Sequence, residues 1–394
     1  MNILHITEAF SPLSETSIYN FIVALEREGH VSSVFTLKRL LEEQRPFTRV
    51  YPVTLPHKLH PARLAASTRR RMNLIRHQEQ LFQIARHQLA HIVEAIAPDV
   101  IHAHFGPMGV LAQPVAEAHR IPLVVFFGGY DVTRIPLDKR WLRHYRCLSH
   151  GTAGIVCNSD FTKSRLEALG FRTEMIIRSI GIDLEGLTYG DPSKRFDGKR
   201  VECLFVGRLV EVKSPLPLIS AFSMAQSALH GKRDLHLTIV GEGPLKQRAL
   251  EQANDLGLMN HVHITGALPY GEVKTLFNRM HIYVQFNQRT ETGEEETLGG
   301  TLLEASACGL PIVAVRSGGV TEAVLDGVSG FLVELDDVQG FANRLIELAM
   351  QPGLWSTFGL SGRKHVEGNF SLSNQVASTL ALYESVASGS ARKS

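Results

Sequence analysis

Short apolar runs recur along this chain, spaced so that one helix fits between each pair. Asn2–Thr7 (NILHIT) reads as a buried strand. Ser17–Glu28 has helical periodicity through Ile18, Phe21, Ile22 and Leu25, Gly29 ends it, and Val31–Leu37 is extended again. Strand, loop, helix and strand in that order make the βαβ unit of a parallel sheet. Pro98–Phe105 and Ile121–Phe127 read as further strands, and Gly154–Asn158 leads into a helix capped near Ser159 or Asp160. Residues 188–200 (TYGDPSKRFDGKR) are polar and aperiodic, the best linker in the chain. The alternation then restarts. Strands are expected at Val201–Val206, Leu235–Val240, Val262–Thr265, Ile282–Phe286, Ile312–Val315 and Gly330–Val333, with helices at Ser214–Ser223 and Leu245–Leu256. The expected fold class is α/β: two Rossmann-like, doubly wound parallel-sheet domains facing across a cleft. The domains are expected at 1–190 and 201–370, joined by a linker at 191–200. In residues 371–394 a helix, Asn374–Ser385, would pack back toward the first domain.

Charge is spread unevenly. Residues 1–200 carry 26 Lys+Arg against 19 Asp+Glu, and residues 201–394 carry 15 against 20, so the first half suits an anionic surface or substrate. Residues 57–96 are the most basic, with Lys58, Arg63, Arg69, Arg70, Arg71, Arg76 and Arg86 against Glu79 and Glu94. Apolar residues at Ile75, Phe82, Ala85, Leu89, Ile92 and Ile96 form a helical stripe expected to face the core. The triple arginine ahead of it suits an anionic membrane surface, which singles out residues 58–76 for that contact. Nucleic acid is not expected, because the cluster lacks aromatic interleaving. The four cysteines show no metal-ligand spacing, and MNILHITEAF has neither a charged n-region nor a long apolar core. A cytoplasmic protein, soluble or peripheral on the inner face of the membrane, is the expectation.

The first loop carries no GxGxxG, which weighs against a dehydrogenase. The chemistry concentrates instead at Glu296–Pro311 (ETLGGTLLEASACGLP), where a Gly-Gly pair precedes a helix and Glu304 falls about one turn inside it. Free N–H groups at such a helix start suit phosphate, and the carboxylates of Glu296 and Glu304 suit sugar hydroxyls. A capped helix with a solvated acidic loop is the plainer reading of the same residues. Arg208, directly after a strand, and Lys213 could hold a diphosphate. His102, His104 and Asp131 belong to one crevice at the carboxyl ends of the first domain's strands. The His-x-His pair could bind a metal, but with no third ligand evident it reads as structural, or as polar lining.

These motifs together resemble the retaining glycosyltransferases of family 4, whose architecture is GT-B. The resemblance is carried by Glu296 through Glu304, Ala305, Ala307, Gly309 and Pro311, and by Gly318, Gly319, Glu322, Val324, Asp326, Gly327, Gly330, Leu332 and Val333. G-R-L-x-x-x-K at 207–213 and G-x-G-P at 241–244 add to it. Ser14–Ile18 and His102–Gly109 are similar to the branch that makes exopolysaccharides such as colanic acid and amylovoran. The resemblance implies that Glu296 contacts donor-sugar hydroxyls, Glu304 the ribose, and Arg208 and Lys213 the diphosphate. It implies assistance from the N–H groups of Gly300, Thr301 and Leu302, with Gly241 and Gly243 also on the donor side. Glu15, Thr16, His104 and Asp131 would lie on the acceptor side. No metal or other cofactor is expected, since no Asp-x-Asp is present and the two cations carry the charge.

Three departures stand out. Gly128 replaces the family's active-site histidine, with His104 a possible substitute; Gln285-Phe286-Asn287 replaces a Pro-Ser; and Glu296-Thr297-Leu298-Gly299 replaces E-G-F-G. The function expected is transfer of a hexosyl unit from a nucleotide sugar, with uridine as its base, to a glycan or lipid-linked acceptor in exopolysaccharide or lipopolysaccharide synthesis. Alternatives are the same chemistry on a soluble small molecule, an epimerase or phosphorylase on the same fold, and a non-catalytic sugar-nucleotide-binding protein.

Overall fold

The computed structural model describes residues 1–12, 16–54, 70–177 and 181–391; side-chain placement is described outside residues 70–78 and 390–391. The first half forms a seven-stranded sheet of order β3-β2-β1-β4-β5-β6-β7, with every pairing parallel. Its strands are β1 (Asn2–Phe10), β2 (Val31–Arg39), β3 (Val50–Pro52), β4 (Val100–His104), β5 (Leu123–Phe127), β6 (Gly154–Cys157) and β7 (Met175–Ile177). The helices between them are α1 (Thr16–Arg27), α2 (Arg70–Ile96), α3 (Gly106–His119), α4 (Lys139–Gly151) and α5 (Asp160–Ala168).

The second half forms a six-stranded parallel sheet of order β10-β9-β8-β11-β12-β13. These strands are β8 (Arg200–Val206), β9 (Asp234–Val240), β10 (Val262–Gly266), β11 (Ile282–Gln285), β12 (Ile312–Val315) and β13 (Gly330–Val333). Its helices are α6 (Pro215–Ala228), α7 (Lys246–Asp255), α8 (Tyr270–Phe277), α9 (Gly300–Ala307), α10 (Val338–Met350) and α11 (Pro352–Asn369), and α12 (Leu372–Ala391) ends the described chain.

The order of strands reverses between β1 and β4 in one sheet and between β8 and β11 in the other. A doubly wound sheet opens its ligand crevice at those points, beyond the carboxyl ends of the strands. Parallel strands are covered on both faces and so are mainly apolar; β4, β5, β11, β12 and β13 are buried at every position, including His102 and His104 of β4 and Gln285 of β11. Each sheet has its own core. Phe35, Leu111, Val125, Phe127, Tyr145 and Phe171 fill one, and Phe205, Phe222, Ile239, Val284, Phe341 and Trp355 fill the other.

Helix α12 lies against the first sheet, with Val376, Leu382, Tyr383 and Val386 buried among Ile3, Phe21, Val124 and Val156. The chain therefore passes between the two sheets twice, and the passages touch where Ile182 pairs with Ser371. The stripe on α2 faces inward: Phe82, Ala85 and Leu89 are buried in the first core. Lys58, Arg63 and Arg69 lie outside the described residues, as do the side chains of Arg70, Arg71 and Arg76. No helix among the described residues is long and apolar enough to cross a membrane.

Candidate active site between the two sheets

A cavity of about 380 Å³ opens between the sheets. Arg208, Glu296, Leu298 and Gly300 line it from the second domain, and His102, His104, Phe105, Phe126 and Gly128 from the first. Gln375 and Thr379 of α12 complete it.

The second-domain wall is built on loops that glycines hold together. Gly241 lies so close to the β8–α6 loop that a Cβ there would stand 1.9 Å from the Gly207 carbonyl oxygen; at Gly243 it would stand 2.4 Å from that of Leu209. The Leu209 N–H donates to Glu242 O (2.9 Å) and the Gly207 N–H to Val240 O (2.9 Å). The G-x-G-P turn therefore clamps the loop that presents Arg208. Gly318 and Gly319 do the same for the acidic loop, lying against the carbonyls of Glu296 and Thr297, with the Gly319 N–H donating to Glu296 O (3.0 Å).

On this scaffold Lys213 Nζ donates to Glu296 Oε2 in a short ion pair, and both side chains are largely shielded from solvent. Burial alone would raise the Glu296 carboxyl. The Lys213 ammonium and its hydrogen bond, the Leu298 N–H and the Arg208 charge together outweigh it and hold the carboxyl below its usual range. Glu296 is thus kept ionised, the state that accepts from hydroxyl groups. At the start of α9 the N–H groups of Gly300 and Thr301 find no acceptor among the described residues, whereas Leu302 N–H already donates to Gly299 O at 3.0 Å. The free donors of this helix start are the first two of the three expected.

Glu304, one turn on, accepts from the Tyr270 hydroxyl of α8 at 2.7 Å. Burial lifts its carboxyl to about 7, against the opposing pull of that hydrogen bond and of Lys274. Beneath α9, the Tyr283 hydroxyl donates to Thr301 Oγ1 (2.8 Å), and Gln285 Nε2 donates to Asn287 Oδ1 (3.1 Å). The segment that replaces the family's Pro-Ser is therefore a buried polar support for the helix start.

The first-domain wall has a different character. His5, His102 and His104 are all buried, and their ligand nitrogens lie within 4.8 Å of one another. The expectation that no third histidine accompanies the His-x-His pair is corrected: parallel pairing of β1 with β4 sets His5 opposite His102. His5 Nδ1 and His104 Nε2 are 3.2 Å apart, and His102 Nδ1 meets the Tyr383 hydroxyl. Burial drives all three imidazoles toward the neutral form, His104 down to about 3. The His102 and His104 rings stack at 17°, with the His5 ring tilted 30–42° to them.

Asp131 is turned away from the cavity. Its carboxylate accepts from the N–H groups of Gly128 and Gly106, both at 3.1 Å, and burial raises it to about 7 against those hydrogen bonds. Gly128 faces the Asn158 amide, and a Cβ there would lie 2.7 Å from Asn158 Nδ2. Asn158 Nδ2 in turn donates to Thr297 Oγ1 across the cleft at 2.9 Å. The space next to Gly128 is thus taken by a side chain that ties the first domain to the acidic loop. Three more links bridge the domains. Arg165 meets Glu295 (2.9 Å), Arg134 meets Glu294 (3.2 Å), and the Glu322 carboxylate accepts from the N–H groups of Asp160 and Phe161 at the start of α5. Thr16 opens α1, while Glu15 lies outside the described residues. Tyr270, Asn158, His5 and Gln375 escaped sequence reasoning, since each acts through a partner far away in the chain.

Two family models match this chain. One, described as Glycosyltransferase Family 4, covers residues 14–185; the other, Glycosyl transferases group 1, covers residues 191–365. A GDP-mannose-dependent alpha-(1-6)-phosphatidylinositol monomannoside mannosyltransferase of Mycolicibacterium smegmatis is 34% identical over 268 residues, 65% of this chain and 68% of that protein. WcaL of Salmonella typhimurium, named for colanic acid biosynthesis, is 27% identical over 298 residues, 74% of this chain and 72% of the relative. Among solved structures, HepE of Anabaena in complex with UDP aligns with a TM-score of 0.75 at 19% identity, covering 98% of this chain and 100% of the other.

Proposed function

This chain belongs to glycosyltransferase family 4, and on that premise we propose that it transfers a hexosyl unit, with retention of configuration, from a uridine diphosphate sugar to a glycan acceptor. The observation that carries the reading is one lip of the cleft. Arg208, Glu296 and Gly300 line that wall, Lys213 is ion-paired with Glu296, and the N–H groups of Gly300 and Thr301 are unpaired at the start of α9. Cations and helix-start N–H groups suit a diphosphate, and an ionised carboxylate beside them suits sugar hydroxyls.

In this reading the arriving diphosphate competes with Glu296 for Lys213, while the fixed positive end of α9 takes the other phosphoryl oxygens. Glu296, partly released, accepts from hydroxyls of the donor sugar. Glu304 accepts from the ribose. The acceptor hydroxyl approaches from the face that the leaving phosphate vacates, and the departing charge is stabilised by groups already in place. No metal is called for at the diphosphate, because Arg208 and Lys213 neutralise it.

The acceptor fits exopolysaccharide or lipopolysaccharide synthesis at the cytoplasmic face of a membrane, with residues 58–76 as the anionic-surface contact. Likeness to WcaL supports this choice over a soluble small-molecule acceptor. A guanosine diphosphate mannose donor is the second reading, favoured by the 34% identical mannosyltransferase.

Thermal melting with UDP-hexoses and GDP-mannose tests the donor side. The true donor raises the melting temperature by several degrees at concentrations far above its Kd, and Glu296→Gln reduces the rise. A flat response to every nucleotide sugar and to UDP and GDP would sink the proposal.

A further inference from the structure

The first domain holds a second cavity that none of these roles uses. It measures about 290 Å³ and sits between α2, α3 and α4, near the lower end of the size range of small-ligand pockets, about 300 Å³. Phe82 and Trp141 give it an aromatic floor, and Glu79, Gln83, Arg140 and His144 stand around it. Phe82, His144 and Tyr145 meet the indole of Trp141 at 75°, 66° and 76°, so none of them lies parallel to its face. The indole N–H, the Gln83 amide, the Glu79 carboxylate and the His144 imidazole make no hydrogen bond among the described residues.

The walls, by contrast, are pinned. Arg86 donates to the carbonyls of Val110 (3.0 Å) and Leu111 (3.2 Å), tying α2 to α3, and Arg140 is held by Asp138 at 2.7 Å.

A fixed aromatic floor ringed by an amide, a carboxylate, a guanidinium, an imidazole and an indole N–H matches a pyranose ring, which offers a C–H face and a polar edge. Carboxylates and amides bind hydroxyls, and Arg140 with His144 would favour a sugar that carries a carboxylate.

Position strengthens the match. Phe105, just before α3, lines the main cleft cavity, and Val110 of this second cavity lies four residues past Gly106, a rise of about 6 Å along the helix. The two cavities therefore flank the first turns of α3.

We propose that this cavity is a saccharide subsite, holding a distal pyranose residue of the acceptor while the terminal one occupies the cleft. It rests on the reading of the acceptor as a glycan.

The test needs no donor. The full-length protein is applied to an array of bacterial-type oligosaccharides containing neutral hexoses, fucose or hexuronates, and the hits are titrated in solution by calorimetry. At least one oligosaccharide should bind the unaltered protein. Its affinity should fall about tenfold or more in Gln83→Ala and in His144→Ala, exposed positions that leave the core intact, and in Trp141→Phe. Arg344→Ala, an exposed position on α10 that lines neither cavity, should leave it unchanged. A preference for hexuronate units supports the Arg140–His144 edge, and a preference for neutral units supports the aromatic floor with Gln83. Absence of any oligosaccharide binding overturns the subsite, as does binding indifferent to Gln83, His144 and Trp141. Should the nucleotide-sugar melts fail while Gln83-dependent binding persists, the donor reading falls and the subsite stands.

Discussion

On one side of the cleft Lys213 and Glu296 meet as an ion pair with Arg208 beside them; on the other, His5, His102 and His104 are stripped of charge by burial. Both walls line one cavity, yet the second domain spends its polar groups on charge and the first spends them on neutral hydrogen bonding. In the proposed reading, a diphosphate entering this cleft finds its cations, Arg208 and Lys213, on one side only, and that asymmetry orients it. A first-domain wall with protonated histidines would compete for the same anion. Neutrality there is as much a part of the site as the cations opposite.

The largest effect should come from breaking the charged wall. Lys213→Ala and Glu296→Gln should each lower kcat by about 100- to 1,000-fold in a nucleotide-release assay, with far-ultraviolet circular dichroism unchanged. Lys213→Ala should also raise the pH at which Glu296 titrates, since burial then acts with less opposition. Activity within threefold of the unaltered protein in either variant would remove that wall from the chemistry.

The neutral wall should break under acid. Below pH 6.5 an unfolded histidine is protonated, whereas His104 inside the fold stays neutral down to about pH 3. Stability is therefore lost as pH falls through that window, at about 1.4 kcal/mol per pH unit for each fully shifted group. Asp131 pulls the other way: its folded carboxyl holds a proton between pH 3.8 and about 7 that the unfolded chain releases. Glu304, also raised to about 7, acts with Asp131, but three histidines outnumber two carboxyls, so the melting temperature should drop between pH 6.5 and 4, and less steeply in His104→Gln. A melting temperature flat across that range would contradict the buried, neutral trio.

How much of this was legible in the sequence follows the same divide. The charged wall is carried by local motifs: Arg208 and Lys213 five residues apart, and Glu296 with Glu304 at the start of one helix. Apolar runs placed most strands of both sheets for a similar reason, while the three-residue edge strands β3 and β7 were too short to read. The neutral wall is not local. His5 joins His102 only through the pairing of β1 with β4, and Asn158 stands by Gly128 only because β6 lies beside β5. Helices α10 and α11 went unread as well, although Phe341, Leu345 and Leu348 give α10 a local apolar stripe. The acidic loop shows both sides of this: Glu296 could be named from its motif, whereas its tether through Thr297 to Asn158 could not.

Finer tests sharpen the contrast. Tyr270→Phe removes a hydrogen bond that holds the Glu304 carboxyl down, so Glu304 should titrate still higher than about 7. Donor KM should rise a few-fold at pH 7 and recover toward pH 8.5, where the carboxylate is restored; a pH-independent change would point to lost packing instead. The smallest effect is expected at the rim. Arg165→Ala removes a partly exposed link to Glu295 and should cost about 0.2–1 kcal/mol of stability, measured by denaturant titration in low salt and vanishing in high salt.

The return of α12 to the first sheet bears on how such a protein can be recombined. Residues 1–180 do not contain the whole first domain, because Val376, Leu382 and Tyr383 complete its core and Gln375 and Thr379 its cavity. A chimera that exchanges the acceptor half between relatives must therefore be cut twice, near Ile182 and near Ser371, where the two crossings lie side by side. Cut once, it would inherit a helix fitted to another protein's sheet.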